Sequence, residues 1–258
     1  MAKWKAPLFF LIVIGLLAFS ITTGKQVKLS WSLLAAGIVG VAIIFLYWDF
    51  EQSPVSPREI SVIAVLGAVA ALARVSLAAL PNIQPVTFLV IVSGYVFGAR
   101  TGFMVGSTAA LASNFFLGQG PWTPWQMFAW GLAGASAAYF RAAVPNAGKW
   151  VLALFQFAWG YLFGCIMNVW TWTAFIYPLS WQSFLATWAT SLWFDSLHAL
   201  SNVFFYLIFG GGVIKILNRV KKKIEVSRLP VQDVPASNNH KLLLYKTITY
   251  SSIKGLPR

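Results

Sequence analysis

The stretch ISVIAVLGAVAALARVSLAAL, residues 60–80, decides the fold of this chain. Its only charged side chain is Arg74. A helix rises 1.5 Å per residue, so about 20 apolar residues cross the roughly 30 Å hydrocarbon core of a bilayer. The stretch therefore predicts a membrane-spanning helix.

The rest of the chain shares this apolar character. It is 59% hydrophobic and 10% charged over 258 residues, with a mean hydropathy of +0.72. A soluble domain could not bury so much apolar surface. The sequence predicts an all-α polytopic membrane protein with spans at 7–23, 30–48, 60–80, 86–97, 102–117, 126–140, 151–175 and 184–214.

Glycine and other small residues predict two close helix contacts. The fourth and fifth spans are short and nearly adjacent, and we expect a tight helical hairpin set by Gly94, Gly98 and Gly102. In the third span, i, i+4 spacing places two ridges of small residues on one face, where another helix could approach closely. These residues are Ala64, Gly67, Ala68 and Ala71.

The basic residues predict the orientation of the spans. The net charge is +13, and most of the lysines and arginines fall on one side of the predicted bilayer or in the C-terminal tail. The positive-inside rule makes that side the cytoplasm, so we expect a plasma-membrane protein with both termini inside. Lys25 and Lys28 break the rule, which leaves open whether the first span is a cleaved signal peptide. This topology accounts for the charge without a nucleic-acid partner.

Composition divides the chain into three parts. We expect two N-terminal spans with a cytoplasmic loop over residues 1–58 and a six-helix, substrate-binding membrane domain over 59–223. Residues 224–258 are polar and basic and predict a disordered cytoplasmic tail. Cys165 is the only cysteine, so neither a disulfide within the chain nor a thiolate metal site is expected.

One uncharged loop, GQGPWTPWQ at residues 118–126, concentrates polar and aromatic groups. Tryptophan offers a flat apolar surface with one donor, and glutamine a paired donor and acceptor. The loop favours a lid over a compact neutral ligand, while an interfacial aromatic belt is the alternative. With polar groups of neighbouring segments, the candidate ligand contacts are Asn82, Gln84, Asn114, Gln119, Trp122, Trp125, Gln126, Trp130, Asp195 and His198.

Ionisable residues in the last span predict a polar interior face. Asp195, His198 and Asn202 are spaced i, i+3 and i+7, so they lie on one stripe that faces the protein interior or a cavity. Arg74 could pair with Asp195 or extend towards the membrane surface, and the sequence leaves both open. One carboxylate and one histidine leave too few ligands for a metal, so we expect no metal or other cofactor.

Four segments of the chain resemble the substrate-binding S components of energy-coupling factor (ECF) vitamin transporters. Between Glu59 and about Lys223 these are Ala64-Val-Leu-Gly-Ala68, Ser93-Gly-Tyr-Val-Phe-Gly98, Asn82-Ile-Gln-Pro-Val-Thr87 and Ser113-Asn-Phe-Phe-Leu-Gly-Gln-Gly-Pro-Trp-Thr-Pro-Trp-Gln126. The last two look most like members thought to take cobalamin or related corrinoids.

The resemblance implies a six-helix module that captures a vitamin from outside and topples in the membrane when partner subunits drive it. Ala64 and Ala68 match the family's alanine motif, which packs on a transmembrane coupling subunit. Two ATP-binding subunits complete such a transporter. This chain has no G-x-x-x-x-G-K-[ST] loop, so we expect it not to be the ATPase. The two leading spans and the tail depart from the minimal family pattern.

Two other classes of function remain open from the residues alone, although we expect the chain not to be an enzyme. An intramembrane enzyme could use Asp195 and His198 as an acid–base pair on a lipid-linked substrate. Against it, the sequence shows no second carboxylate for metal–diphosphate chemistry and no nucleophile activated by a neighbouring base. An ion-coupled permease could instead work by protonation of Asp195, but the chain shows no inverted repeat.

Overall fold

The computed structural model describes residues 31–53 and 55–226, and within those ranges it is helical without strands. This confirms the all-α membrane fold. The predicted span at 7–23, its signal-peptide question and the predicted tail beyond residue 226 lie outside the described residues. The helices are α1 Trp31–Glu51, α2 Pro57–Ser76, α3 Val86–Phe97, α4 Ala99–Leu117, α5 Thr123–Ala143, α6 Lys149–Phe175 and α7 Trp181–Val226.

Four of the described helices contain stretches long and apolar enough to cross a membrane: Leu34–Glu51, Pro57–Ser76, Lys149–Phe175 and Trp181–Ile224. Helix α3 is apolar but only 12 residues long. The largest difference from the predicted spans is at α7, which continues from the predicted end at residue 214 to Val226. Charged residues end the apolar run there, but lysine and arginine are good helix formers and the helix continues.

Two ends of the bundle are distinguished by charge. At one end lie the connections 77–85, 118–122 and 176–180, which contain no Lys, Arg, Asp or Glu. We call this the uncharged end. The helix ends at the other side carry Arg58, Arg100, Arg141 and Lys149, and we call this the basic end. Helix α2 begins there as its sequence dictates. Ser56 caps the helix by accepting a hydrogen bond from the backbone N–H of Glu59, and Pro57 occupies the first turn.

Helices α3, α4 and α5 pack backbone against backbone at three glycines. A Cβ atom on Gly94 would overlap the carbonyl group of Gly134, and one on Gly134 would overlap the carbonyl group of Gly102. The predicted α3–α4 hairpin is confirmed. Its turn is the single residue Gly98, whose φ of 105° favours glycine, whereas Ala99 and Arg100 already belong to α4.

The small residues of α2 do not share one environment. Gly67 and Ala71 are buried, and a Cβ atom on Gly67 would lie 2.9 Å from the Thr108 side chain of α4. Ala64 and Ala68 are exposed, and each lies three residues before one of the buried pair. One ridge therefore packs inside the protein and the other faces outward.

Helix α1 packs on the helices that follow it. It contacts α5 and α6, and Tyr47 forms a 2.9 Å hydrogen bond between its hydroxyl and that of Ser107 in α4. The chain divides after residue 221, and the site described below lies entirely before that point. The separation of residues 1–58 from 59–223 stays a prediction.

Candidate functional site

A small cavity lies near the uncharged end, between the end of α2, the 77–85 connection and helices α3, α5, α6 and α7. Its volume is about 60 Å³. We call it the polar cavity, because most of its lining side chains carry polar groups. They are Arg74, Asn82, Gln84, Val86, Gln126, Trp130, Phe163 and His198.

Arg74 is fixed at the wall of the cavity by neutral partners. Its Nη1 donates to Ser113 Oγ and to Asn114 Oδ1, both at 2.6 Å. The guanidinium carbon lies 4.8 Å from the centre of the Trp130 ring, which is a cation–π distance. Within the described residues Arg74 forms no ion pair, so it does not meet Asp195.

A chain of contacts joins the aromatic and polar walls of the cavity. The indole Nε1 of Trp130 donates to Thr87 Oγ1 at 2.8 Å, and the Thr87 hydroxyl lies 2.7 Å from His198 Nε2. Phe163 packs against both rings, at 4.6 Å from Trp130 and 5.0 Å from His198 between centroids. These contacts hold α3, α5, α6 and α7 around one point.

Asn114 connects Arg74 to the loop predicted to be a lid. It is almost completely buried, and its Nδ2 donates to Thr123 Oγ1 at 3.0 Å and to Gln126 Oε1 at 2.8 Å. The Thr123 hydroxyl donates to Gln119 Oε1 at 2.9 Å. The 118–126 segment is thus attached to the cavity wall through side-chain amides.

The second connection near the cavity is attached to α7. Asn82 has a positive φ of 55°, and its Nδ2 donates to the backbone carbonyl of Phe194 at 3.0 Å. The Ser201 hydroxyl donates to the backbone carbonyl of Gln84 at 3.4 Å. Both contacts place Asn82 and Gln84 beside the cavity.

Asp195 belongs to a different polar cluster. It is buried, accepts a 2.7 Å hydrogen bond from the Ser191 hydroxyl, and lies against Gly164 of α6. Asn168 Nδ2 donates to the same Ser191 hydroxyl at 2.7 Å. Asp195 and His198 share a helix, but each has its own partners.

The structure brings five of the ten candidate ligand contacts into the cavity lining: Asn82, Gln84, Gln126, Trp130 and His198. Asn114 lies outside the lining but is hydrogen-bonded to two lining residues, Arg74 and Gln126. The remaining four are not in the lining. Trp122 is 37% exposed, Trp125 is 5% exposed with its indole N–H unpaired, Gln119 bonds the loop and the Leu111 carbonyl, and Asp195 faces α6.

Sequence reasoning did not assign Val86, Thr87 and Phe163 to the site. Val86 and Phe163 are ordinary membrane residues in the sequence, and no local pattern marks them. Thr87 lies in the first turn of α3, and a single hydroxyl there gives no sign of a binding site. Arg74 carried the clearest signal, since a charge inside a span marks function by default, but its partners depended on tertiary structure.

A family comparison covers the part of the chain that forms this site. The model of the family "ECF transporter, substrate-specific component" matches residues 58–220, which include all of α2 but its first residue, all of α3 to α6 and most of α7. No curated protein and no solved structure matches the chain. The matched segment begins at Arg58, one residue before the resemblance found in the sequence, and it leaves α1 outside. This chain belongs to the family of substrate-specific components of ECF transporters.

Proposed function

We propose that this chain captures a vitamin from outside the cell in the polar cavity and delivers it through a coupling subunit and two ATP-binding subunits. The observation that carries the proposal is the cavity itself, which lies near the uncharged end of a subunit from a transporter family. By the positive-inside rule the uncharged end faces outward and the termini are cytoplasmic.

Capture requires the loops to move. Sites for small molecules enclose about 300–1,000 Å³, whereas the polar cavity has a volume of about 60 Å³. The described form therefore has room for only part of a vitamin. The 118–122 connection is suited to opening, since its two glycines, Gly118 and Gly120, give the backbone wide conformational freedom.

Cobalamin or a related corrinoid is our first candidate substrate. It rests on the sequence resemblance of residues 82–87 and 113–126. Here the first segment forms the end of the 77–85 connection and the start of α3, and the second runs from the end of α4 through the 118–122 connection into α5. A corrinoid would need a much larger opening than a small vitamin. The loops would therefore have to move further for a corrinoid than for a small vitamin.

Identifying the bound compound tests the proposal. The full chain is purified in mild detergent, the co-purifying compound is identified by mass spectrometry and absorbance, and the protein is titrated with cobalamin and a panel of water-soluble vitamins. We expect saturable binding of one vitamin without ATP or an ion gradient. If no vitamin binds and no compound co-purifies, the proposed capture function is wrong.

The outward ridge of α2 is our proposed contact for the coupling subunit. Ala64 and Ala68 are exposed in the middle of α2, and the neighbouring Val65 and Val69 are exposed too. Small side chains let the backbone of another helix approach closely within a bilayer. The stripe is separate from the residues that line the polar cavity.

Ala68→Trp is expected to prevent assembly while leaving vitamin binding unchanged. The indole would hold a partner helix away from the stripe, so we expect at least about a tenfold loss of co-purified coupling subunit. Ala186→Trp in α7 is the matched control, because Ala186 is also exposed and lies nearer the uncharged end. Equal assembly of the two variants would contradict the proposed contact.

The positions of Asp195 and His198 argue against the enzyme alternative. An acid–base pair made of Asp195 and His198 would need both groups at one reacting atom. Asp195 bonds Ser191 and lies against Gly164, whereas His198 bonds Thr87 and lines the cavity. The family is a transporter family and not an enzyme family.

A further inference from the structure

Arg74 is a buried cation for which the described part of the protein provides no anion. Its side chain is 9% exposed, and no carboxylate among the described residues pairs with it. Both of its hydrogen bonds leave from Nη1 and end on neutral oxygens of Ser113 and Asn114. Its Nε–H is buried and has no partner.

Burying the Arg74 guanidinium in this way is energetically unfavourable unless a counter-ion binds to it. Moving a charge out of water without a counter-charge is strongly unfavourable even after the protein relaxes around it. The face of the Trp130 ring, 4.8 Å from the guanidinium carbon, offsets part of that cost. A charge left within a membrane domain in this way marks a ligand or ion pathway by default.

The cavity lining indicates the charge of the missing group. Arg74 is the only lining residue with a permanent charge, and no carboxylate lies among the eight. A cationic ligand would therefore meet a like charge, and a neutral ligand would leave the guanidinium uncompensated. An anionic ligand would meet its counter-charge beside the amide groups of Gln84 and Gln126.

We propose that the ligand presents an oxyanion, a carboxylate or a phosphate, to Arg74 in the polar cavity. Ser113 and Asn114 hold one nitrogen of the guanidinium, which orients the rest of this planar fork. Guanidinium groups recognise carboxylates and phosphates through paired, charge-assisted hydrogen bonds. The inference rests on the proposed vitamin capture and specifies its substrate class. It replaces the compact neutral ligand that the loop sequence favoured.

Matched ligand pairs test the inference on the unmodified protein. The full chain in lipid nanodiscs is titrated with nicotinate and nicotinamide, biotin and biotin amide, and pantothenate and pantothenol. Pyridoxal 5′-phosphate with pyridoxal forms the phosphate arm, and cobalamin, which carries a phosphodiester, is titrated beside them. We expect one acid to bind at least about 30-fold more tightly than its neutral partner. The arm in which it occurs identifies the oxyanion.

Variants of Arg74 connect this preference to the guanidinium. We expect Arg74→Met to weaken binding of the acid at least about 30-fold and Arg74→Lys about tenfold, since lysine keeps the charge but not the paired donors. Arg141→Met is the matched control. Like Arg74, Arg141 donates from Nη1 to a neutral oxygen, here the backbone carbonyl of Tyr95, and lies over a ring, 5.2 Å from the centroid of Tyr95, but it does not line the cavity.

A second readout separates this inference from the proposed function. Thermal unfolding is followed with acetate, acetamide and inorganic phosphate at constant ionic strength, since a ligand that binds only the folded state raises the unfolding temperature. Stabilisation by acetate or phosphate but not acetamide, lost in Arg74→Met, supports the anion site even if no vitamin binds. Tight binding of a neutral vitamin with Arg74→Met unchanged overturns the inference and leaves vitamin capture standing. No vitamin binding and no oxyanion effect overturns both.

Discussion

Gly94→Ala is expected to lower the free energy of unfolding by about 3 kcal/mol, although it adds only one methyl group. The methyl carbon would overlap the carbonyl group of Gly134, which is backbone and cannot rotate away. Helices α3 and α5 would have to separate. Because packing rather than the hydrophobic effect drives helix association in a bilayer, little would compensate for the lost contacts.

The measurement is equilibrium unfolding in mixed micelles, followed by tryptophan fluorescence. Gly211→Ala in α7 is the matched control, because a Cβ atom there meets nothing within 4 Å. In a helix interior alanine is favoured over glycine by about 1 kcal/mol, so this variant should be unchanged or more stable. Gly94→Ala and Gly211→Ala with equal stability would show that the glycine contact is not required.

Asn114→Asp is expected to abolish binding of an oxyanion ligand while keeping the protein folded. The change is nearly isosteric and puts a carboxylate where Asn114 Oδ1 now lies, 2.6 Å from Arg74 Nη1. Arg74 then has an internal counter-ion, and a second anion meets no net positive charge. We expect a loss of about 100-fold or more, since breaking a buried charge pair costs about 2–5 kcal/mol.

Asn114→Asp is expected to be at least as stable as the wild type, so a loss of binding would not be due to unfolding. The Gln126 amide can turn so that it donates to the new carboxylate, and the ion pair with Arg74 forms at little entropic cost because both side chains are already held. Unfolding should therefore need at least as much denaturant as for the wild type. Asn146→Asp in the exposed α5–α6 connection controls for the added charge. Unimpaired binding by Asn114→Asp would show that Arg74 does not hold the ligand.

The helical fold could be predicted from the sequence, because apolar run lengths and single residues with strong backbone preferences determine it. Gly98 marked the α3–α4 turn, and residues 60–80 marked the helix that became α2. The end of α7 was predicted too early because hydropathy falls at Lys215 while the helix continues. Hydropathy reports where the bilayer ends and not where helical hydrogen bonding ends.

The site was harder to predict, because it depends on how helices are rotated and aligned against each other. Asp195 and His198 share a stripe in the sequence, but the packing of α7 puts only His198 in the cavity lining. Arg74 selects Ser113 and Asn114, about 40 residues away in sequence, through an alignment of α2 with α4 that no local pattern encodes. Polarity indicated which residues could bind, and tertiary packing decided which of them meet.

Helix α2 carries both the guanidinium at the cavity wall and the exposed alanine stripe. Arg74 and Ala68 are six residues apart, which is about 9 Å along the helix axis. A tilt or rotation of this rod displaces both groups together, without relays through loops. If a docked partner shifts the position of α2, thermodynamic linkage requires that it change ligand affinity by the same factor by which ligand changes the affinity for the partner. The α2 helix can thus couple ligand binding to partner docking through a single rigid element.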